Sequence, residues 1–543
     1  MKSIIIAAPH SGSGKTTVTL GIMECLKRRG LRVAPFKVGP DFIDPGYHRL
    51  VTGRQSVNLD GWMCGANYVL DTFMHHGKGA DISIIEGVMG LFDGISGQQE
   101  AGSTAQIAKM IGAPVVLVVD ARSQARSAAA LVKGFEEFDP AVRIAGVIFN
   151  NVGSENHARI LREAVESLGT GVKVVGCLPR DERLHIPSRH LGLMTVEENP
   201  LPEEFLDHLV EVIWDNLDLG LLWAAGTVHN IELRLPFEET ALLAGSGKSQ
   251  GVISVAVARD EAFCFVYEDN LRLLKEAGAE IVEFSPMRDE RLPDGVTGIY
   301  LPGGYPEIFA DTLAGNTAMK ADIRRMVNGG MPVYAECGGF IYLTKGVAAD
   351  PWGNKGQILT FDKSGKTQEM LPDMRKGEET APPLHEFVGI FPVATRMLAR
   401  RRALGYREVV LIADSILGPA GTVARGHEFH YSEMGMMPRR IKRSYRVSRN
   451  EVDLGTEGYR YKNCLASYIH LHFGSCPGMA VAFVESCRKY IKSKSGRRVT
   501  KAKLKPEANY KNPSNREIRM NGMKGFVFNL KKFFYPEYPD SPC

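Results

Sequence analysis

Residues 3–17 read SIIIAAPHSGSGKTT. A short apolar run leads into a turn rich in glycine and serine, and a lysine with two threonines opens the next helical stretch. This nearly matches the phosphate-binding pattern G-x-x-x-x-G-K-[ST], with Pro9 standing where the first glycine belongs. Glycines let backbone N–H groups face phosphate oxygens. The lysine adds counter-charge, and a hydroxyl at the helix N-terminus suits Mg²⁺. Gly12, Ser13, Gly14, Lys15, Thr16 and Thr17 are therefore the candidate ATP-binding residues.

The segments that follow keep the same rhythm. RVAPFKV, DISIIEGV, PVVLVVDA, IAGVIFNNV and KVVGCLP read as buried strands, and stretches such as TTVTLGIMECLKRRG carry helical periodicity between them. Strand and helix in alternation predict an α/β fold with a mostly parallel sheet. At 543 residues the chain exceeds one ordinary domain. A net charge of +4 on that length gives no ground for nucleic-acid or membrane binding. No apolar run reaches the ~18 residues of a membrane span, and the first run leads straight into the phosphate motif rather than a cleavage site, so a cytoplasmic protein is expected. Nine scattered cysteines, none spaced C-x-x-C, argue against a disulfide framework and a cysteine-based metal site.

Two acidic stretches could complete the nucleotide site. KVGPDFIDPGYH offers Asp41 and Asp44 after the second strand, and DISIIEGVMGLFDG ends a strand on Glu86, where a carboxylate would hold Mg²⁺. Thr16, Asp41 and Glu86 are the candidate metal ligands.

A second α/β series begins at VISVAVARD and includes VYAECGGFIYL, residues 333–343. Here an apolar run delivers Cys337 onto two glycines. That suits a nucleophile standing on a strand-to-helix elbow, and a buried structural thiol is the competing reading. The expected domains are 1–235, a linker over 236–250, 251–488, and a basic, disordered tail over 489–543. A polar, exposed insertion is expected near 349–383.

AAPHSGSGKTT, FKVGPDFIDPGYH, NLDGWM, IEGVMGLFDG, PGGYPE, ECGGFIYL, RRALGYREV, GHEFHYSE and SYIHLHFGS together resemble the cobyrinate a,c-diamide synthase family over roughly residues 1–490. The resemblance implies an N-terminal P-loop NTPase domain of the dethiobiotin synthetase kind and a C-terminal class I glutamine amidotransferase domain. It implies amidation of two acetate side chains of a tetrapyrrole with ATP and L-glutamine as cosubstrates and Mg²⁺ as cofactor. Cys337 becomes the nucleophile and His470 its base, with Gly303, Gly304 and Gly338 around the oxyanion. Class I amidotransferases carry His-x-Glu, with the glutamate orienting the histidine. Here His472 stands in the place of the acid. His430 and Arg180 are candidates for holding the acidic macrocycle.

The nickel-sirohydrochlorin a,c-diamide synthases share these motifs, so amidation of the nickel precursor is an alternative. A P-loop switch or partitioning ATPase is the alternative of another class. The implied partner is a small tetrapyrrole, with no membrane, nucleic acid unexpected and a homodimer as the candidate assembly.

Overall fold

The computed structural model describes residues 1–189, 192–229, 252–348, 383–398 and 400–503. The expected linker, almost all of the expected insertion, and the tail beyond 503 lie outside them. Strands β1 (Lys2–Ala7), β2 (Val33–Val38), β3 (Val57–Leu59), β4 (Ile82–Glu86), β5 (Val115–Asp120), β6 (Ile144–Val152) and β7 (Lys173–Pro179) form a parallel sheet in the order β3-β2-β4-β1-β5-β6-β7. Its strands are mostly apolar because both faces are covered. Ile4 and Ile6 pack into one core, Ile5 and Ala7 into the other, following the period-two alternation of a strand. The chain passes from β4 on one side of β1 to β5 on the other. Ligands of open α/β sheets bind at such a reversal, and here the phosphate loop leaves the carboxyl end of β1.

The second sheet contains β8 (Ile253–Ala258), β9 (Ala279–Phe284), β10 (Gly298–Leu301), β11 (Val333–Glu336), β12 (Ala403–Leu411), β13 (Val423–His430), β14 (Lys442–Arg449), β15 (Val452–Tyr461), β16 (Cys464–Ser467) and β17 (His470–Leu471). The order is β9-β8-β10-β11-β16-β15-β14-β12-β13-β17. From β9 to β16 the pairing is parallel; from β16 onward it is antiparallel. The chain leaves β16 at Ser467 and re-enters the far end of the antiparallel run at His470, so this part of the sheet curls back on itself.

Three of these strands were not expected. β13, β14 and β15 alternate charged and apolar residues, and the histidine-rich GHEFHYSE, readable as a loop, lies mostly in β13. The last helix runs Gly478–Lys503, past the boundary expected at residue 488. No described helix is long and apolar enough to cross a membrane.

Residues Met1–Lys494 form one body. The two sheets are joined within it by polar contacts that are largely buried. Asp269, at the start of the helix Glu268–Glu276, accepts from the Tyr68 hydroxyl, from the Arg272 guanidinium and, at 3.2 Å, pairs with His76 Nε2. Burial alone would raise the Asp269 pKa, but His76 and Arg272 outweigh it and hold the carboxylate ionised. Tyr406 donates to Asp60 Oδ2 at 2.6 Å, and Arg425 lies over the Trp62 ring while donating to its carbonyl. Because Asp269 is 1% exposed, Arg272→Met leaves a buried charge poorly compensated, a loss of about 3–5 kcal/mol. The expected result is a thermal midpoint lowered by several degrees in scanning calorimetry, with Arg488→Met, which removes an exposed pair, close to wild type.

Candidate active site

The phosphate loop is built as the sequence requires. Gly14 caps the helix Lys15–Arg28 at φ 85°, and a side chain there would overlap the amide of Asn150, which donates to the Ser13 carbonyl at 3.0 Å. Gly12 also has positive φ, and Ser13 donates to the His10 carbonyl. Thr16 and Thr17 begin the helix, partly exposed beside it. Lys15 donates to the Met89 carbonyl at 2.8 Å. Burial and the neighbouring Lys37 lower its pKa.

The acidic residues surround a cation that the sequence reading missed. Lys37, on β2, donates to Asp44 Oδ2 at 2.5 Å, to Glu86 Oε1 at 3.1 Å and to the Gly87 carbonyl, and lies 3.9 Å from Asp41. Burial opposes its charge, yet Asp44 and Glu86 raise its pKa above the usual lysine value. Glu86 is fully buried and accepts from Thr16 at 2.7 Å and pairs with His48 Nε2 at 2.7 Å. Both its oxygens are thus engaged. Asp41 is more open and caps the turn at Ile43 and Asp44 through Oδ1.

Cys337 follows β11 directly and is the N-cap position of the helix Gly338–Leu343. Its φ of 44° is a conformation that non-glycine residues rarely adopt, and such strain gathers at functional positions. The thiol is buried and donates a long contact to the Phe429 carbonyl, at 3.9 Å. Burial raises its pKa well above the usual thiol value, and Glu307 and Glu428 add to the effect. Gly303, Gly304 and Gly338 crowd the same elbow. A Cβ at Gly303 would overlap the His470 ring, and one at Gly338 would press within 2.9 Å of the Gly304 backbone.

His470 is 2% exposed, stacks on His427 at 4.9 Å and meets the tilted Phe42 ring at 5.1 Å. Burial lowers its pKa to about 3, so the ring is neutral near pH 7. His472 does not share its surroundings. The strand ends at Leu471, so alternation no longer fixes the next side chain, and His472 instead caps the turn Phe473–Ser475. Its Nδ1 accepts from Gly474, and its ring packs on Tyr267 at 4.5 Å.

One cavity of about 420 Å³ is lined by Cys337, Gly304, His470 and His430 from the second half and by Asp41, Phe42 and Met89 from the first. The latter three flank the phosphate loop's acidic and lysine contacts. His430 is held by Glu428 at 2.9 Å and by the Ser432 carbonyl at 2.7 Å. Arg180 is not in this cavity; it is exposed and paired with Glu182. Phe42 is a second residue the sequence reading missed. It sits between the candidate aspartates and touches Phe265, Tyr267, His427 and His470.

Residues 4–193 match a family described as the CobQ/CobB/MinD/ParA nucleotide binding domain, and residues 254–366 and 369–477 match the CobB/CobQ-like glutamine amidotransferase domain. The chain is 43% identical over 491 residues to a Syntrophotalea carbinolica protein named cobyrinate a,c-diamide synthase, covering 89% of this chain and 98% of the relative. A Picrophilus torridus protein of the same name is 40% identical, covering 90% and 99%. A Streptomyces coelicolor protein named hydrogenobyrinate a,c-diamide synthase is 40% identical, covering 89% and 97%.

The raised thiol pKa makes a prediction for the enzyme without substrates. Alkylation of Cys337 by iodoacetamide, located by peptide mass spectrometry, should accelerate with every step from pH 6 to 9 and show no plateau. A plateau below pH 8 would mean that the resting site already holds a thiolate.

Proposed function

The chain belongs to the cobyrinate a,c-diamide synthase family, and on that footing we propose the roles of its individual residues in a two-site amidation. It is a carbon–nitrogen ligase of cobalamin biosynthesis that uses ATP and takes its nitrogen from glutamine. The observation that supports a coupled reading is the shared cavity, which reaches from Asp41 and Met89 to Cys337 and His470.

At the first site, residues 12–17 cradle the nucleotide phosphates, and Lys15 leaves the Met89 carbonyl to meet them. The γ-phosphoryl group passes to an acetate carboxylate of the macrocycle, giving ADP and an acyl phosphate. A carboxylate is a poor electrophile, and phosphorylation supplies its leaving group. Lys37 holds a fixed positive charge against Glu86 and Asp44 beside this transfer. The donors suit Mg²⁺, a cation that takes oxygen ligands. The Thr16 hydroxyl and the open oxygen of Asp41 would hold it. Glu86, with both oxygens engaged, would act on it through Thr16. Mg²⁺ bound with ATP would neutralise charge on the phosphates.

At the second site, glutamine enters beside Cys337. The thiol proton passes to His470 as sulfur bonds to the side-chain amide carbon, and backbone N–H groups around Gly304 and Gly338 receive the oxyanion. The C–N bond breaks, His470 returns the proton, and ammonia leaves. Water then releases glutamate from the thioester. Ammonia displaces phosphate from the acyl phosphate, and the cycle serves the a- and c-acetates in turn. His430, fixed by Glu428, lines the cavity where an acidic substrate meets the second half.

Cobyrinate is the substrate this reading favours, with the nickel precursor as the alternative macrocycle. The test is amidation of each macrocycle with Mg·ATP, using wild type, Cys337→Ala and Lys15→Ala. Wild type should use glutamine or ammonia. Cys337→Ala should lose glutamine-dependent product by at least about 1,000-fold and keep ammonia-dependent product. Lys15→Ala should lose both. Full glutamine-dependent product from Cys337→Ala would overturn the assignment of the nucleophile.

A further inference from the structure

The buried ring of His470 lacks a partner at Nδ1. A base of this kind needs one there: a group that accepts the Nδ1 proton fixes the tautomer, leaves Nε2 free to take the thiol proton, and stabilises the imidazolium that follows. His472 is directed elsewhere, into the turn and Tyr267. The carboxylate that does face His470 Nδ1 is Glu336, whose Oε2 lies 3.9 Å away. Glu336 immediately precedes the nucleophile in the chain.

Glu336 is 1% exposed and placed by three donors. The Tyr334 hydroxyl donates to Oε1 at 2.5 Å, the Leu471 backbone N–H to Oε1 at 2.9 Å, and the Tyr300 hydroxyl to Oε2 at 2.8 Å. The Leu471 contact matters most, because Leu471 follows His470. One carboxylate thereby ties the strand of the base to the strand of the nucleophile. The remaining 3.9 Å is longer than a hydrogen bond, and such contacts are often long before substrate binds.

We propose that Glu336 is the positioning residue for His470, taking the part that a glutamate two residues after the histidine plays in other class I amidotransferases. The proposal rests on the reading of Cys337 and His470 as the glutamine-hydrolysing pair. Only an ionised Glu336 accepts the Nδ1 proton as a carboxylate. Burial raises its pKa to about 7, against the pull of Tyr334, Tyr300 and the Leu471 N–H. The titratable groups that face it or feel its charge are Tyr300 on β10, Tyr334 on β11, Tyr445 on β14, Tyr267 ahead of the helix Glu268–Glu276, His470 on β17 and the Cys337 thiol. The phenols all have raised pKa values and stay neutral near pH 7. His470, with its pKa near 3, adds no second step there. Glutamine hydrolysis should therefore rise with pH through a limb near 7.

The experiment measures glutamine hydrolysis and ammonia-dependent amidation on the full-length enzyme from pH 5.5 to 9, for wild type, Glu336→Gln, Tyr334→Phe, His472→Asn and Cys337→Ala. Glu336→Gln should lose at least about 100-fold in kcat for glutamine with little change in KM, lose the limb near pH 7, and keep ammonia-dependent amidation within about twofold. Tyr334→Phe removes a donor that favours the carboxylate, so its limb should move to higher pH. His472→Asn should keep its limb and stay within about threefold of wild type.

A glutamine rate in Glu336→Gln within threefold of wild type would overturn the proposal. So would equal loss of both activities, an unmoved limb in Tyr334→Phe, or a large loss confined to His472→Asn. If Cys337→Ala still hydrolyses glutamine, the underlying reading of the nucleophile has failed. If Cys337→Ala is dead while Glu336→Gln is not, only the role given to Glu336 has failed.

Discussion

Two paired positions, Gly426 with Leu471 and His427 with His470, close the curled part of the second sheet. The geometry of the thiol site depends on this closure. Without it, the segment after β16 would run off the sheet edge, and His470 would have no fixed relation to Cys337. The closure demands close backbone approach: a Cβ at Gly426 would overlap the His470 carbonyl. Glu336 fastens the same segment from the opposite side through the Leu471 N–H. The His470 ring is thus held between a sheet edge and a buried carboxylate, and the glycine at 303 leaves room for it.

The nucleotide end follows a different physical rule. Four ionisable side chains, Lys37, Asp44, Glu86 and His48, meet where little water reaches. Such a cluster is tolerable only when every charge is paired. The pairing makes a rigid block behind the phosphate loop, and rigidity suits a reaction governed by positioning and charge. Phe42 leaves this block and packs at a tilt against His470. The loop that carries the candidate aspartates therefore also forms one wall of the thiol site.

What the sequence displayed was chemistry that is contiguous along the chain. A phosphate loop must be a strand, a glycine turn and a helix in immediate succession, and a nucleophile elbow must be a strand followed by small residues. Both can be read from the letters around Lys15 and Cys337. The first sheet was legible because burial on both faces makes its strands mostly apolar; the three-residue β3 and the two-residue strand Thr227–Val228, which pairs with β1, escaped. β13 to β15 were obscured because charged residues alternate through them. Lys37 and Glu336 were hidden for another reason: each lies inside an otherwise ordinary strand, and its role depends on which distant residues fold against it. His472 misled because the period-two rule holds only while a strand continues, and this one stops at Leu471. Arg180 carries the charge that an acidic ligand needs, but charge alone does not say which way a surface side chain faces.

The junction built on Asp269 bears on how separable the two halves are. Each half has its own sheet and cores and could be mistaken for a portable module. Cutting the chain between them would give one fragment a buried carboxylate stripped of its tyrosine and histidine partners, and the other an exposed Trp62 and Phe42. The amidotransferase half would also lose the Phe42 ring that packs against His470. The halves are therefore better regarded as two sides of one vessel than as two tools on a string, and a hybrid with a foreign nucleotide domain would have to rebuild that wall around His470.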